Sequence, residues 1–146
     1  ENPLTVFHDK RQLETTLCDG RQLIVDPDVV GDFTDLSFED SCFKLVVLDP
    51  PHLKRVGENS WTYKKYGKLP NDFKPHLEKM FNECFRVLAD DGVLIFKWNE
   101  DQILTSEILS LSPYKPMIGH RSGKQQKTHW LVFMKNPAML RIGASL

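Results

Sequence analysis

The sequence has no acidic residue after Glu107. Residues 1–107 hold all 20 aspartates and glutamates against 13 lysines and arginines, a net of −7, while residues 108–146 carry six basic residues and none acidic. A basic C-terminal third can meet a polyanion or can serve solubility, and charge alone leaves both readings open. Cysteine is scarce. Cys18, Cys42 and Cys84 are odd in number, far apart and without a Cys-x-x-Cys pair, which argues against a disulfide framework or a zinc site and reads as reduced thiols. No apolar run approaches the ~20 residues of a membrane span, and no signal-peptide pattern opens the chain, so the expected location is the cytoplasm. None of the eight glycines stands in a Gly-x-Gly pair. Repeats and low-complexity stretches are missing too, and 146 residues of ordinary apolar and charged content make one domain with a real core.

The centre of what is present is Leu45-Val46-Val47-Leu48 followed by Asp49-Pro50-Pro51-His52. Four β-favouring residues in succession suit a strand covered on both faces, as in a parallel sheet flanked by helices. Pro50 and Pro51 exclude helix and force an extended turn, which leaves Asp49 at the strand tip, where α/β sheets collect ligands. Two readings stand side by side. One is a proline turn capped by aspartate. The other is a site that makes an aromatic exocyclic amine attack a carbon electrophile: Asp49 and the Pro50 carbonyl accept both N–H bonds and favour a tetrahedral nitrogen. His52 stacks on the target ring, a contact on the order of 1–3 kcal/mol for aromatic side chains in general.

In chain order, Leu4-Thr5-Val6-Phe7 reads as a strand ending at His8-Asp9. Residues 15–25 read as a hairpin around Asp19-Gly20. Val29-Val30 is a short strand that exits through Gly31-Asp32-Phe33 into an acidic loop reaching Asp40, with Phe38 turned inward. Lys54 to Leu69 is a long loop in which Trp61, Tyr63 and Tyr66 interleave with Arg55, Lys64, Lys65 and Lys68. Those groups pack as a lid or contact a substrate. A helix starts at Asn71-Asp72, buries Phe73, Leu77, Met80, Phe81, Cys84, Val87 and Leu88, and stops at Asp91-Gly92. Val93 to Phe96 is a second strand suited to covering on both faces. Asn99 caps a helix that runs to Leu111, with Pro113 beyond it. Lys115–Ile118 and Thr128–Lys135 form an antiparallel edge hairpin around a basic connection that holds His120, Arg121 and Lys124.

Three stretches together resemble a class I S-adenosylmethionine-dependent methyltransferase. Residues 31–47 resemble the family's run from adenine-contacting loop to central strand. Phe85-Arg86-Val87-Leu88-Ala89-Asp90-Asp91-Gly92-Val93-Leu94 resembles its helix-turn-strand signature. Asp49-Pro50-Pro51-His52 resembles the Asp/Asn/Ser-Pro-Pro-aromatic motif of enzymes that methylate amino groups of adenine or cytosine, with histidine where Tyr, Phe or Trp is usual. The resemblance implies a Rossmann-like α/β fold, a doubly wound and mostly parallel sheet with a C-terminal antiparallel hairpin. The resemblance covers residues 4–135, and the expected domain is 1–137, N-terminally incomplete, with 138–146 as a flexible tail. The family's first strand and glycine loop have no counterpart, so the chain reads as joining the fold part-way.

The resemblance further implies S-adenosyl-L-methionine as cofactor. It gives Asp9 to the ribose hydroxyls, Asp32 with Phe33 to the adenine, and Asp49, Pro50, Pro51 and His52 to catalysis, with no metal required. Arg55, Trp61, Lys64 and Lys65 would contact the acceptor, most simply adenine in DNA or RNA. A protein amide or a small molecule is the alternative acceptor. The rival reading is a non-catalytic subunit of the same fold that binds nucleic acid or a partner enzyme.

Overall fold

The computed structural model describes residues 3–17 and 19–136. Along the chain lie β1 (His8–Asp9), β2 (Leu13–Thr16), β3 (Gln22–Val25), β4 (Val29–Val30), β5 (Phe43–Leu48), α1 (Trp61–Tyr66) and α2 (Phe73–Val87). They are followed by β6 (Leu88–Asn99), α3 (Thr105–Leu109), β7 (Ile118–Ser122) and β8 (Thr128–Met134). The main sheet runs β5-β6-β8-β7; β5 and β6 are parallel, and the other two pairings are antiparallel. The sheet is therefore mixed rather than mostly parallel, because the C-terminal hairpin supplies half of its strands. Beside it are a parallel ladder of β1 with β4 and the β2–β3 hairpin. Among the described residues no helix is long and apolar enough to cross a membrane. Cys18 and the tail from Ala138 to Leu146 lie outside the described residues.

One face of the main sheet carries the core. Successive strand side chains alternate in direction, so Leu94, Phe96 and Trp98 of β6 and Leu131 and Phe133 of β8 share a face. Onto it α2 lays Leu77, Met80, Phe81, Cys84 and Phe85, and the segment around α3 adds Ile103 and Ile108. Each large side chain so buried contributes roughly 1.5–3 kcal/mol. Burial also pushes the Cys84 thiol up to about 12, which makes it an inert packing group. The opposite face is uncovered among the described residues: Leu45 is 54% and Val47 60% exposed. Covering on both faces does not hold here, and the doubly wound expectation is met only in part, because α2 and α3 pack on the same side.

Several boundaries move for local reasons. The first strand is His8–Asp9 alone, with Leu4, Val6 and Phe7 exposed. Helix α2 ends at Val87, and Leu88 is already extended. Asp91-Gly92 lies inside β6 instead, at a register break between Phe43↔Leu88 and Leu45↔Val93. There Asp91, at φ 60°, donates its N–H to the Lys135 carbonyl. Asn99 caps no helix; its Oδ1 accepts from the Asp101 N–H at 3.0 Å, and α3 is a short helix six residues later. The long loop contains α1, capped by Ser60 Oγ accepting from the Tyr63 N–H at 3.1 Å and closed by Gly67 at φ 73°. The final hairpin starts at Ile118, so Gly119 to Ser122 are strand and the connection shrinks to residues 123–127.

Candidate active site

Parallel pairing of β5 with β6 puts Asp49 at the C-terminal end of β5, level with Lys97 because Leu48 pairs with Phe96. Lys97 Nζ lies 2.6 Å from Asp49 Oδ2 and 5.5 Å from the centre of the Trp130 ring. This partner escaped the sequence reading, although a lysine between Phe96 and Trp98 in an apolar strand is a visible anomaly. Pro50 is buried and Pro51 half-buried, which anchors the turn. The His52 ring packs 6.3 Å from Trp98 and 6.1 Å from Tyr66. Asp49 thus meets a side chain of the open face and His52 one of the covered face. Burial lowers the His52 pKa while the Asp49 charge pulls the other way, so charging the imidazole takes a lower pH than usual.

The other two assigned carboxylates sit at the ends of the parallel pair β1 and β4. Asp9 Oδ1 accepts from Arg11 N–H at 2.8 Å and Arg11 Nε at 3.2 Å. The Arg11 guanidinium also donates to the carbonyls of Lys64 and Lys65, tying α1 to the segment just after β1. Asp32 Oδ1 accepts from the Thr34 N–H and hydroxyl, and its Oδ2 lies 2.8 Å from Lys10 Nζ. Burial would raise the Asp32 pKa, but the Lys10 and Thr34 bonds outweigh it and hold the carboxyl well below the usual range. Phe33 packs edge-on against His76, 5.0 Å between centroids. Gly31 lies against its neighbour: a Cβ there would fall 2.8 Å from His8 Nε2, a buried nitrogen without a partner among the described residues, so the ring would have to shift.

These groups fit the nucleoside part of an adenosyl cofactor. Two carboxylates stand at adjacent strand ends, and among the described residues Asp9 Oδ2 has no hydrogen-bond partner, which leaves it open to a diol. The exposed Lys10 would have to leave Asp32 before an amino group could take its place.

A cleft of about 540 Å³ opens between His52, Leu53 and Thr62 on one side and the β7–β8 connection on the other, with Asn99 and Asp101 between them. Of the residues expected at the acceptor, only His52 lines it. Arg55 lines a neighbouring cleft of about 220 Å³ with Lys54, Asn71 and Gln102. Trp61 is half-buried, edge-on to Tyr66, with Lys65 Nζ 5.0 Å from its ring centre. Lys64 and Lys65 are brought to Arg11 through their carbonyls rather than to the cleft. Gln102, by its spacing from Asn99 a capping-box residue, does something else: its Oε1 accepts from the Lys54 and Arg55 N–H groups and its Nε2 donates to the Arg55 carbonyl, pinning the segment after His52.

No protein-family model matches this sequence, and no curated protein matches it. Among solved structures, it is similar to the crystal structure of the PH0226 protein from Pyrococcus horikoshii OT3, with a TM-score of 0.51 and 17% identity over 74% of this chain. The match covers 58% of that chain. The likeness is one of fold, and it places this chain in the α/β class, with helices packed on a mixed sheet.

Proposed function

We propose that this chain is a class I methyltransferase domain that passes the methyl group of S-adenosylmethionine to an amino group, that of adenine in DNA or RNA. The observation that carries the reading is Asp49-Pro50-Pro51-His52 at the C-terminal end of a parallel strand, beside a cleft whose size falls in the ~300–1,000 Å³ of small-molecule sites. The cofactor supplies a methyl group on a sulfonium. Asp49 and the Pro50 carbonyl accept the two N–H bonds of the acceptor amine, and His52 stacks on its ring. The released proton passes to Asp49 or solvent, and positioning lowers much of the barrier. Asp9 would hold the ribose hydroxyls and Asp32 the adenine amino group, with Phe33 beside it. The free edge of β5 among the described residues leaves room for the family's first strand and its glycine loop.

One observation favours the second reading, a non-catalytic subunit of this fold: Asp49 is engaged by Lys97, and Asp9 and Asp32 by Arg11 and Lys10. Methyl transfer from labelled cofactor to DNA and RNA separates the two. In the intact protein Asp49→Ala should abolish transfer and leave cofactor affinity within a few-fold. Cofactor binding without any transfer by the parent, alongside retained nucleic-acid binding, would establish the non-catalytic reading. An unchanged transfer rate in Asp49→Ala would move the active site elsewhere.

A further inference from the structure

The β7–β8 connection is fixed at its base and closed by a turn at its tip. Lys127 Nζ lies 2.6 Å from Asp101 Oδ1, the Glu100 N–H donates to the Lys127 carbonyl at 2.9 Å, and Asn99 Nδ2 donates to Thr128 Oγ1 at 3.1 Å. A turn from the Gln126 N–H to the Gly123 carbonyl, with φ 85° at Gly123, presents Lys124 at the mouth of the larger cleft. Across Leu53, Gln102 pins the backbone at Lys54 and Arg55, whose side chains line the smaller cleft. Among the described residues none of Lys54, Arg55 and Lys124 has a carboxylate within ion-pair distance, whereas Lys127 is matched by Asp101; Lys54 Nζ lies 4.7 Å over the Phe73 ring, a contact that leaves its charge unneutralised.

We infer that the two clefts form one track for single-stranded nucleic acid. The target nucleotide sits between His52 and the connection, Lys124 holds a phosphate on one side, and Lys54 with Arg55 holds the next phosphates on the other. Unmatched cations on either side of a cleft suit a chain of regularly spaced anions. The larger cleft takes one base out of its stack, which a single strand offers without the few kcal/mol that flipping from a duplex costs. Between the cations the lining includes the hydroxyl and amide groups of Thr62, Asn99, Gln125 and Thr128, suited to sugar and base edges, together with Asp101, whose charge is matched by Lys127. Methylation of the bound base rests on the function proposed above; binding to the track does not.

The test is fluorescence anisotropy of a labelled single-stranded oligonucleotide, and of its duplex, titrated with salt and without cofactor. Lys124→Gln, and separately the pair Lys54→Gln with Arg55→Gln, should weaken binding. For every phosphate no longer neutralised, the plot of log K against log salt should flatten by about 0.7. The exposed Lys79 on α2, replaced by Gln, should leave affinity and slope unchanged. The track is overturned if Lys124→Gln keeps the parent slope, if Lys79→Gln flattens it equally, or if duplex binds as tightly as the single strand. Failure of Asp49→Ala to affect transfer would leave these slopes intact, so the two ideas fail separately.

Discussion

Glu100 shows at the scale of one residue how the end of the sheet is held. Its Oε1 lies 2.8 Å from His129 Nε2, a contact that is an ion pair only when the imidazole is protonated. Its Oε2 accepts from the Thr105 N–H and hydroxyl. The His129 contact, helped by Thr105 and opposed by burial, brings the carboxyl down to about 2 from its ordinary 4.5. A carboxyl depressed in the folded state stabilises fully above its unfolded pKa and less as pH falls toward the folded value. Proton linkage at the Glu100 carboxyl therefore adds stability above about pH 4.5 that fades between there and about pH 2. Urea denaturation should find Glu100→Gln less stable than the parent at neutral pH, with the gap closing in that acid window. A gap that stays constant into acid would assign the loss to shape and not to charge. None of this was readable from the sequence, because Glu100 and His129 are joined only once β6 and β8 pair.

At the scale of elements, periodicity found the buried stripe of α2 and the turn chemistry found the β2–β3 hairpin. The end of α2 was less legible, since Leu88 continues the helical pattern and the stop signal comes only at Asp91-Gly92, while tertiary pairing pulls Leu88 to Gly92 into β6. Gly92 marks that competition. A Cβ there would meet the Ala89 carbonyl at 2.7 Å and the Leu88 side chain at 2.8 Å. Gly92→Ala should cost about 1–3 kcal/mol as an overpacked site, measured by chemical denaturation. No measurable loss would mean that the bulge relaxes freely. The short α1 was missed because its apolar residues fall in one and a half turns, too few to set up a period, although Ser60 and Gly67 are the cap residues such a helix uses.

The whole molecule is a sheet with one dressed face. Phe96 is completely buried, while Leu45 and Val47, in a run that reads as equally apolar, are more than half exposed. Phe96→Ala should cost about 3–5 kcal/mol, whereas Leu45→Glu and Val47→Glu should each stay within about 0.5 kcal/mol of the parent. A large loss at Val47 would show that something covers this face in solution. By itself the sequence determined the strand that carries Asp49-Pro50-Pro51-His52, the core stripe of α2 and the hairpin at the C-terminus, because proline geometry, helical periodicity and turn residues act over a few neighbours. Only the tertiary structure decided that Lys97 takes Asp49, that Gln102 pins the chain after His52, and that the β7–β8 connection faces the same cleft. The first two pairings each join residues 48 positions apart, beyond the reach of any local pattern. The third follows from the antiparallel return of β8 along β6, which sets on which end of the sheet the connection falls.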